Sequence, residues 1–340
     1  MSILFQEIHE QPAAIERALT NGKAAVETLV EQARARNVRM VILAARGTSD
    51  NAATYAKYLW QITCGVPAGL AAPSVHTLYE ARVDYRDALV VGISQSGAGE
   101  DVNEVVAQAR KAGALTAAIT NTPDSAIAGI AEHVLFCDAG PEKAVAATKT
   151  YTTTLTLVAQ IAAAWSGNTD LAAALERIPD TAQRLLTALP GTVEPLASTL
   201  IHAQRLVAVA RGLHLPTAVE SSLKIAETSY TATQAFSSAD LLHGPIASVP
   251  AQTPCLLFSP SGKTEQSMRE LRTKLQSRGA RVLWASPDSD AVLPLANPGT
   301  ELLSPIVDIL PAQLLAYHLT VARGYDPDNP AGLSKVTVTR

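Results

Sequence analysis

An apolar run that ends on a serine-rich turn and opens a helix occurs twice in this chain, and few architectures accommodate that. Residues 88–101 read ALVVGISQSGAGED: the apolar run stops at Ser94-Gln95-Ser96-Gly97, and a helical pattern begins near Glu100. Residues 254–266 read PCLLFSPSGKTEQ, so that Ser259-Pro260-Ser261-Gly262 follows 165 residues after the first turn. Other apolar runs repeat at nearly the same offset. MVILAA from Met40 pairs with RLVAVA from Arg205, LTAAIT from Leu115 with RVLWAS from Arg281, and HVLFCD from His133 with TELLSP from Thr300. Matched segments at one spacing indicate two copies of a single αβ unit.

The runs are short, nearly continuous in apolar character and separated by helical patterns such as VNEVVAQARKAG from Val102. Strands of that kind are buried on both faces of a parallel sheet. The expected fold is therefore α/β, with two tandem doubly wound, flavodoxin-like parallel sheets, each a three-layer αβα sandwich. The chain divides into a helical arm (1–32), a first αβ domain (33–168), a helical linker (169–198), a second αβ domain (199–323) and a tail (324–340). A length of 340 residues and a 47% hydrophobic content supply two cores.

In such sheets ligands lie beyond the carboxyl ends of the strands. A turn with two hydroxyls, free backbone N–H groups and a helix N-terminus suits a phosphate group, although the same residues also serve as a plain helix cap. In the second copy Pro260 removes a backbone donor where Gln95 stands in the first, so that turn reads as a relic of duplication.

Other function classes are excluded by composition. A formal net charge of −4, with no run of Lys or Arg, gives no surface for nucleic acid. Cys64, Cys137 and Cys255 are widely spaced in apolar context and read as reduced core residues, with no metal-ligand spacing. The N-terminus has no signal-peptide pattern, and the longest apolar helical segment, from Thr154, falls short of the roughly 20 residues that cross a membrane. A soluble cytoplasmic protein is expected.

Chemistry concentrates in the second copy. In PTAVESSLKIAETSYTA, Pro216 marks a helix start, and Glu220, Lys224 and Glu227 share one face at i, i+4, i+7. A charged stripe on an otherwise small and apolar helix fits a carboxylate held beside an ammonium for proton transfer, against the alternative of a solvated salt-bridge face. His243, followed by Gly244-Pro245, is a second candidate, with the turn expected to fix its ring.

These residues match a known pattern. GTS at 47–49, SQSG at 94–97, ATKTYTT at 147–153, VESSLKIAETSY at 219–230, DLLHGP at 240–245, LLAYH at 314–318 and LSKVTV at 333–338 closely resemble the isomerase half of glucosamine-6-phosphate synthase, a tandem of two sugar isomerase (SIS) domains. The resemblance runs from about Arg39 onward. It implies that Ser49, Ser94, Gln95 and Ser96 hold a sugar 6-phosphate, with Thr148 and Lys149 closing over the sugar. It further implies that Glu227 shuttles a proton between C1 and C2 beside Glu220 and Lys224, that His243 assists ring opening from the neighbouring subunit of a homodimer, and that Lys335 reaches the open-chain sugar. No cofactor or metal is called for.

Four positions depart from the synthase pattern. Ala98-Gly99 replace Glu-Thr, Ala147 a serine and Leu242 a lysine, which leaves the identity of the sugar open. The chain begins MSILF, without the N-terminal cysteine of a glutaminase domain, so glutamine is not expected as a nitrogen source. The leading expectation is a deaminase that converts glucosamine 6-phosphate to fructose 6-phosphate and ammonia. The alternatives are a fructosamine-6-phosphate deglycase and a non-catalytic phosphosugar sensor.

Overall fold

In the computed structural model, which describes residues 2–335, the chain forms two compact units. Of the described residues, one unit comprises Ala13–Glu142, Lys149–Glu176 and residues 334–335; the other comprises residues 2–12, Lys143–Thr148 and Arg177–Leu333.

The first unit is built on five parallel strands, β1 (Met40–Ala44), β2 (Ala68–Leu70), β3 (Ala88–Ile93), β4 (Leu115–Thr120) and β5 (His133–Phe136), in the order β2-β1-β3-β4-β5. Every residue of β3 and β4 is buried, as their unbroken apolar runs require of central strands covered by helices on both faces. The helix Glu100–Lys111 turns Val102, Val105, Val106 and Ala109 onto this sheet at i, i+3, i+4, i+7, and all four are buried. Burying each valine contributes about 1.5–3 kcal/mol of transfer free energy. The chain leaves β1 toward β2 on one side and returns to β3 on the other. The order of connection thus reverses between β1 and β3, which are paired from Met40↔Ala88 to Ala44↔Gly92.

The second unit repeats the plan. Its strands β6 (Arg205–Ala210), β7 (Ala232–Ser237), β8 (Pro254–Phe258), β9 (Arg281–Ser286) and β10 (Leu293–Pro294) are parallel in the order β10-β9-β8-β6-β7, with the reversal between β6 and β8. Met268, Leu271 and Leu275 of the helix Glu265–Ser277 pack with Cys255, Leu257 and Trp284 in its core.

Three of the four proposed correspondences are strand for strand: β1 with β6, β3 with β8 and β4 with β9. The fourth is corrected. HVLFCD contains β5, but its counterpart β10 lies at Leu293–Pro294, and TELLSP forms a turn leading into the helix Ser304–Asp308. The paired leucines of that segment feed a buried helix start, where Leu303 is fully enclosed, and a short apolar run has no period that separates this from a strand. The outer strands β2 and β7 escape a search for apolar runs because one has three residues and the other, ATQAFS, breaks its apolar residues with polar ones.

The arm forms two helices, Ile3–His9 and Gln11–Ala35, and after the irregular residues 137–148 the connection between the sheets is mainly helical, with Lys149–Ser166, Thr169–Leu175, Ile178–Ala188 and Pro190–Ser198. The stretch Ser304–Ala322 is longer and more apolar than the segment from Thr154 and has the dimensions of a membrane-crossing helix; most of it is buried inside the fold, as in a core helix. All three cysteines are free thiols. Burial pushes the Cys137 and Cys255 thiols up to about 11, so they stay protonated at neutral pH.

Candidate active site

In the first unit the reversal between β1 and β3 brings the turns that leave these two strands to one edge of the sheet. After β1 the chain passes through Gly47 (φ 55°) into the helix Thr48–Cys64, with Ser49 in the first turn. After β3 comes the Ser94–Gly99 turn. Ser94 Oγ accepts from the Gly97 amide at 3.1 Å and Ser96 Oγ from the Ala98 amide at 3.3 Å, so the hydroxyls shape the turn and each keeps its own proton to donate. The Gln95 carbonyl points inward, accepting from the Asn121 amide and from the hydroxyls of Thr120 and Thr122. The amides of Gln95 and Ser96 meet no acceptor among the described residues. Gly97 is obligatory: at φ 64°, a Cβ there would stand 2.3 Å from Ser125 Oγ.

The electrostatics of this edge are mixed. The N-terminus of the helix Glu100–Lys111 favours an anion, but Glu100 and Asp101 occupy its first turn. Asp101 is almost fully buried and is compensated by Arg46, whose Nε lies 2.7 Å from Oδ2. Burial pushes the Asp50 carboxyl above its usual range, against the opposing fields of Arg46 and Lys57.

The second turn answers a question left by the sequence. Gly262 stands at φ 148° with the Glu301 carboxylate against its Cα, 2.3 Å from where a Cβ would be, and the Lys263 amide donates to Glu301 Oε2 at 2.8 Å. In this copy an internal carboxylate occupies the turn, and Ser259 is buried with no hydrogen-bond partner for its hydroxyl among the described residues.

In the second unit the helix Leu215–Ser229 starts with Pro216 in its first turn, where no N–H is needed. The residue before it, His214, is fixed by a fully buried contact of Nε2 with Asp308 Oδ2 at 2.9 Å, and burial raises the Asp308 carboxyl. The helix ends on Tyr230 in the left-handed conformation (φ 55°), with Arg323 donating to the Ser229 carbonyl. Between these anchors Lys224 Nζ lies 3.4 Å from Glu220 Oε1 and 2.6 Å from Glu227 Oε2. Glu220 and Lys224 are sealed from water, whereas the Glu227 side chain is 25% exposed. The stripe is therefore a graded one: a buried carboxylate, a buried ammonium, and a carboxylate held by that ammonium at the surface. Such an arrangement can take up and return a proton.

His243 closes the short helix Ser238–Leu242 and is exposed. The Gly244-Pro245 turn forms, opening the 3-10 turn Pro245–Ser248, but it does not fix the ring, which meets no partner among the described residues. Lys335 donates to Glu142 Oε2 at 2.9 Å; Glu142 is buried and also accepts from the amide and hydroxyl of Thr150. Glu142 was not singled out in the sequence, where nothing distinguishes it from other acids. Lys149 is likewise buried, with Nζ on the Pro141 carbonyl at 2.8 Å, and Thr148 is buried just before it. Of the LSKVTV motif, Val336–Val338 lie outside the described residues. Among those residues no group of three or more His, Cys, Asp or Glu side chains could hold a metal ion.

The residues proposed from the sequence thus fall into two sets. Ser49, Ser94, Gln95 and Ser96 share an edge of the first sheet, and Glu220, Lys224 and Glu227 share a face of one helix in the second unit. His243 stands apart from that helix on its own turn, and Lys335 is tethered through Glu142.

Comparison with known proteins gives a consistent result. The chain is 36% identical over 354 residues to the isomerizing glutamine–fructose-6-phosphate aminotransferase of Thermococcus kodakarensis, and 34% identical over 344 residues to that of Methanothermobacter thermautotrophicus. Each match covers 98% of this chain but only 58% and 57% of the respective relatives, so the chain spans a little over half their length. The crystal structure of a candidate phosphosugar isomerase from Silicibacter pomeroyi matches with a TM-score of 0.89 at 32% identity, covering 96% of this chain and all of that one. The SIS domain model matches residues 35–164 and 199–323, one match over each five-stranded sheet, and the chain belongs to the SIS domain family.

Proposed function

We propose that the chain is an enzyme that moves a proton between adjacent carbons of an open-chain sugar 6-phosphate, with glucosamine 6-phosphate as substrate. The observation that carries this reading is the Glu220–Lys224–Glu227 stripe, in which a partly exposed carboxylate is held 2.6 Å from a buried ammonium. The phosphate is assigned to the Ser94–Gly97 turn with Ser49, and its remote binding orients the reacting carbons. His243 assists ring opening. Its exposed, unpartnered ring suits service to the site of a neighbouring subunit in a homodimer. Glu227 then takes the C2 proton of the open-chain amino aldose and returns it to C1, while O1 gains a proton and the amine nitrogen gives one up, leaving a hydroxyl at C1 and an imine at C2. Water adds to that imine and ammonia departs, giving fructose 6-phosphate. Lys335, held by Glu142, provides a cation for the oxygen that carries developing negative charge.

Incubation with glucosamine 6-phosphate, without added metal or nucleotide, is expected to release equal amounts of ammonia and fructose 6-phosphate. Turnover of a fructosamine 6-phosphate alone would make the chain a deglycase. Binding of phosphosugars with no turnover of either would make it a sensor, and amination of fructose 6-phosphate by glutamine would contradict the assigned direction. Ser96→Asp puts a fixed carboxylate against the phosphate and is expected to weaken binding at least about 10-fold through like-charge repulsion. Unchanged affinity by calorimetric titration would remove the phosphate from this turn.

A further inference from the structure

The donors of the Ser94–Gly97 turn and Ser49 are all neutral hydroxyls and amides, whereas a sugar phosphate near pH 7 carries a charge of about −1.5 to −2. The helix that follows the turn offsets part of its own dipole with Glu100 and Asp101. Among the described residues, the cation that spans both turns is Arg46. It stands between β1 and Ser49, and its Nε binds Asp101 in the first turn of the helix that follows Ser94–Gly97. Asp101 is itself held, its other oxygen accepting from the Val102 amide at 2.8 Å, and only 2% of its side chain is exposed. Arg46 is 56% exposed, and its two Nη groups meet no acceptor among the described residues. A salt bridge serving stability alone gains little at such exposure. A guanidinium oriented through Nε by a buried carboxylate, with its other edge open, has the geometry that receives two oxygens of one anion.

We propose that Arg46 is the charged member of the phosphate site: its Nη pair takes two phosphate oxygens, Asp101 holds it in position, and together they select a doubly charged 6-phosphate over uncharged sugars. This rests on the assignment of the phosphate to the Ser94–Gly97 turn. Calorimetric titration with glucitol 6-phosphate, an open-chain probe that cannot react, tests both. Arg46→Ala is expected to weaken binding about 10- to 100-fold, as loss of charge-assisted hydrogen bonds does. Arg46→Lys should recover only part of that, because it restores charge without the fork. Asp101→Asn should cost less than Arg46→Ala. Arg46→Lys keeps a cation beside the buried Asp101 and should melt near the wild-type value, so its loss of affinity separates ligand binding from a structural role, whereas Arg46→Ala is expected to lose some stability as well. If Arg46→Ala binds like wild type while Ser96→Asp does not, the role of Arg46 is overturned and the turn assignment stands. If wild type does not take up the probe, or if Ser96→Asp binds as wild type does, both are overturned. Equal weakening toward uncharged glucitol would also overturn the role of Arg46.

Discussion

Glu227→Gln is expected to lower kcat about 10²- to 10⁴-fold, the range that a positioned general base supplies. The substitution keeps shape and hydrogen-bonding capacity but removes the carboxylate that accepts the proton. Because Glu227 is partly exposed, and because Lys224 keeps Glu220 as a partner, the fold should tolerate the change, with melting falling by no more than about 4 °C. Affinity for glucitol 6-phosphate should hold. Steady-state kinetics on glucosamine 6-phosphate beside a melting curve make the comparison; a variant with wild-type kcat would take the proton transfer away from Glu227.

Lys224→Met is expected to have the largest effect on stability. Lys224 and Glu220 are 3% and 0% exposed, and the ammonium neutralises a carboxylate that water does not reach. Removing one partner of a buried ion pair costs about 3–5 kcal/mol, because the remaining charge stays in a poorly solvating environment. Methionine fills the space of the lysine stem, so the loss reports charge more than volume. The measurement is the urea midpoint of the unit that carries the helix. Adding Glu220→Gln to Lys224→Met should recover much of the loss, since the double variant no longer buries the charge. A single variant as stable as wild type would mean that the pair is not sealed from solvent.

The two αβ units were legible from sequence because their signals are local. A strand buried on both faces must be apolar throughout, and a helix that packs on a sheet must repeat its apolar face every 3.6 residues, so β1, β3, β4, β6, β8 and β9 announce themselves. The same period put Glu220, Lys224 and Glu227 on one face. The fifth strand pair failed for the complementary reason: Leu302-Leu303 and Leu293-Pro294 are too short to display any period, and packing alone decides which of them joins the sheet.

What local pattern cannot encode is which distant side chain completes a site. Ser49 joins Ser94 and Ser96 because β1 and β3 are neighbours, a consequence of strand order that neither segment carries by itself. Arg46 meets Asp101 across 55 residues, Glu301 enters the second turn from 38 residues away, and Lys335 finds Glu142 across 193. The sequence by itself determined the repeated αβ plan, the serine turns and the charged helix face, each written in spacing along a few turns or one strand. Only the tertiary structure decided that one turn is left open beside an arginine while its duplicate is filled by the protein's own carboxylate. Buried charges must find their partners in space, and the returning loops that bring those partners are set by the packing of the whole unit.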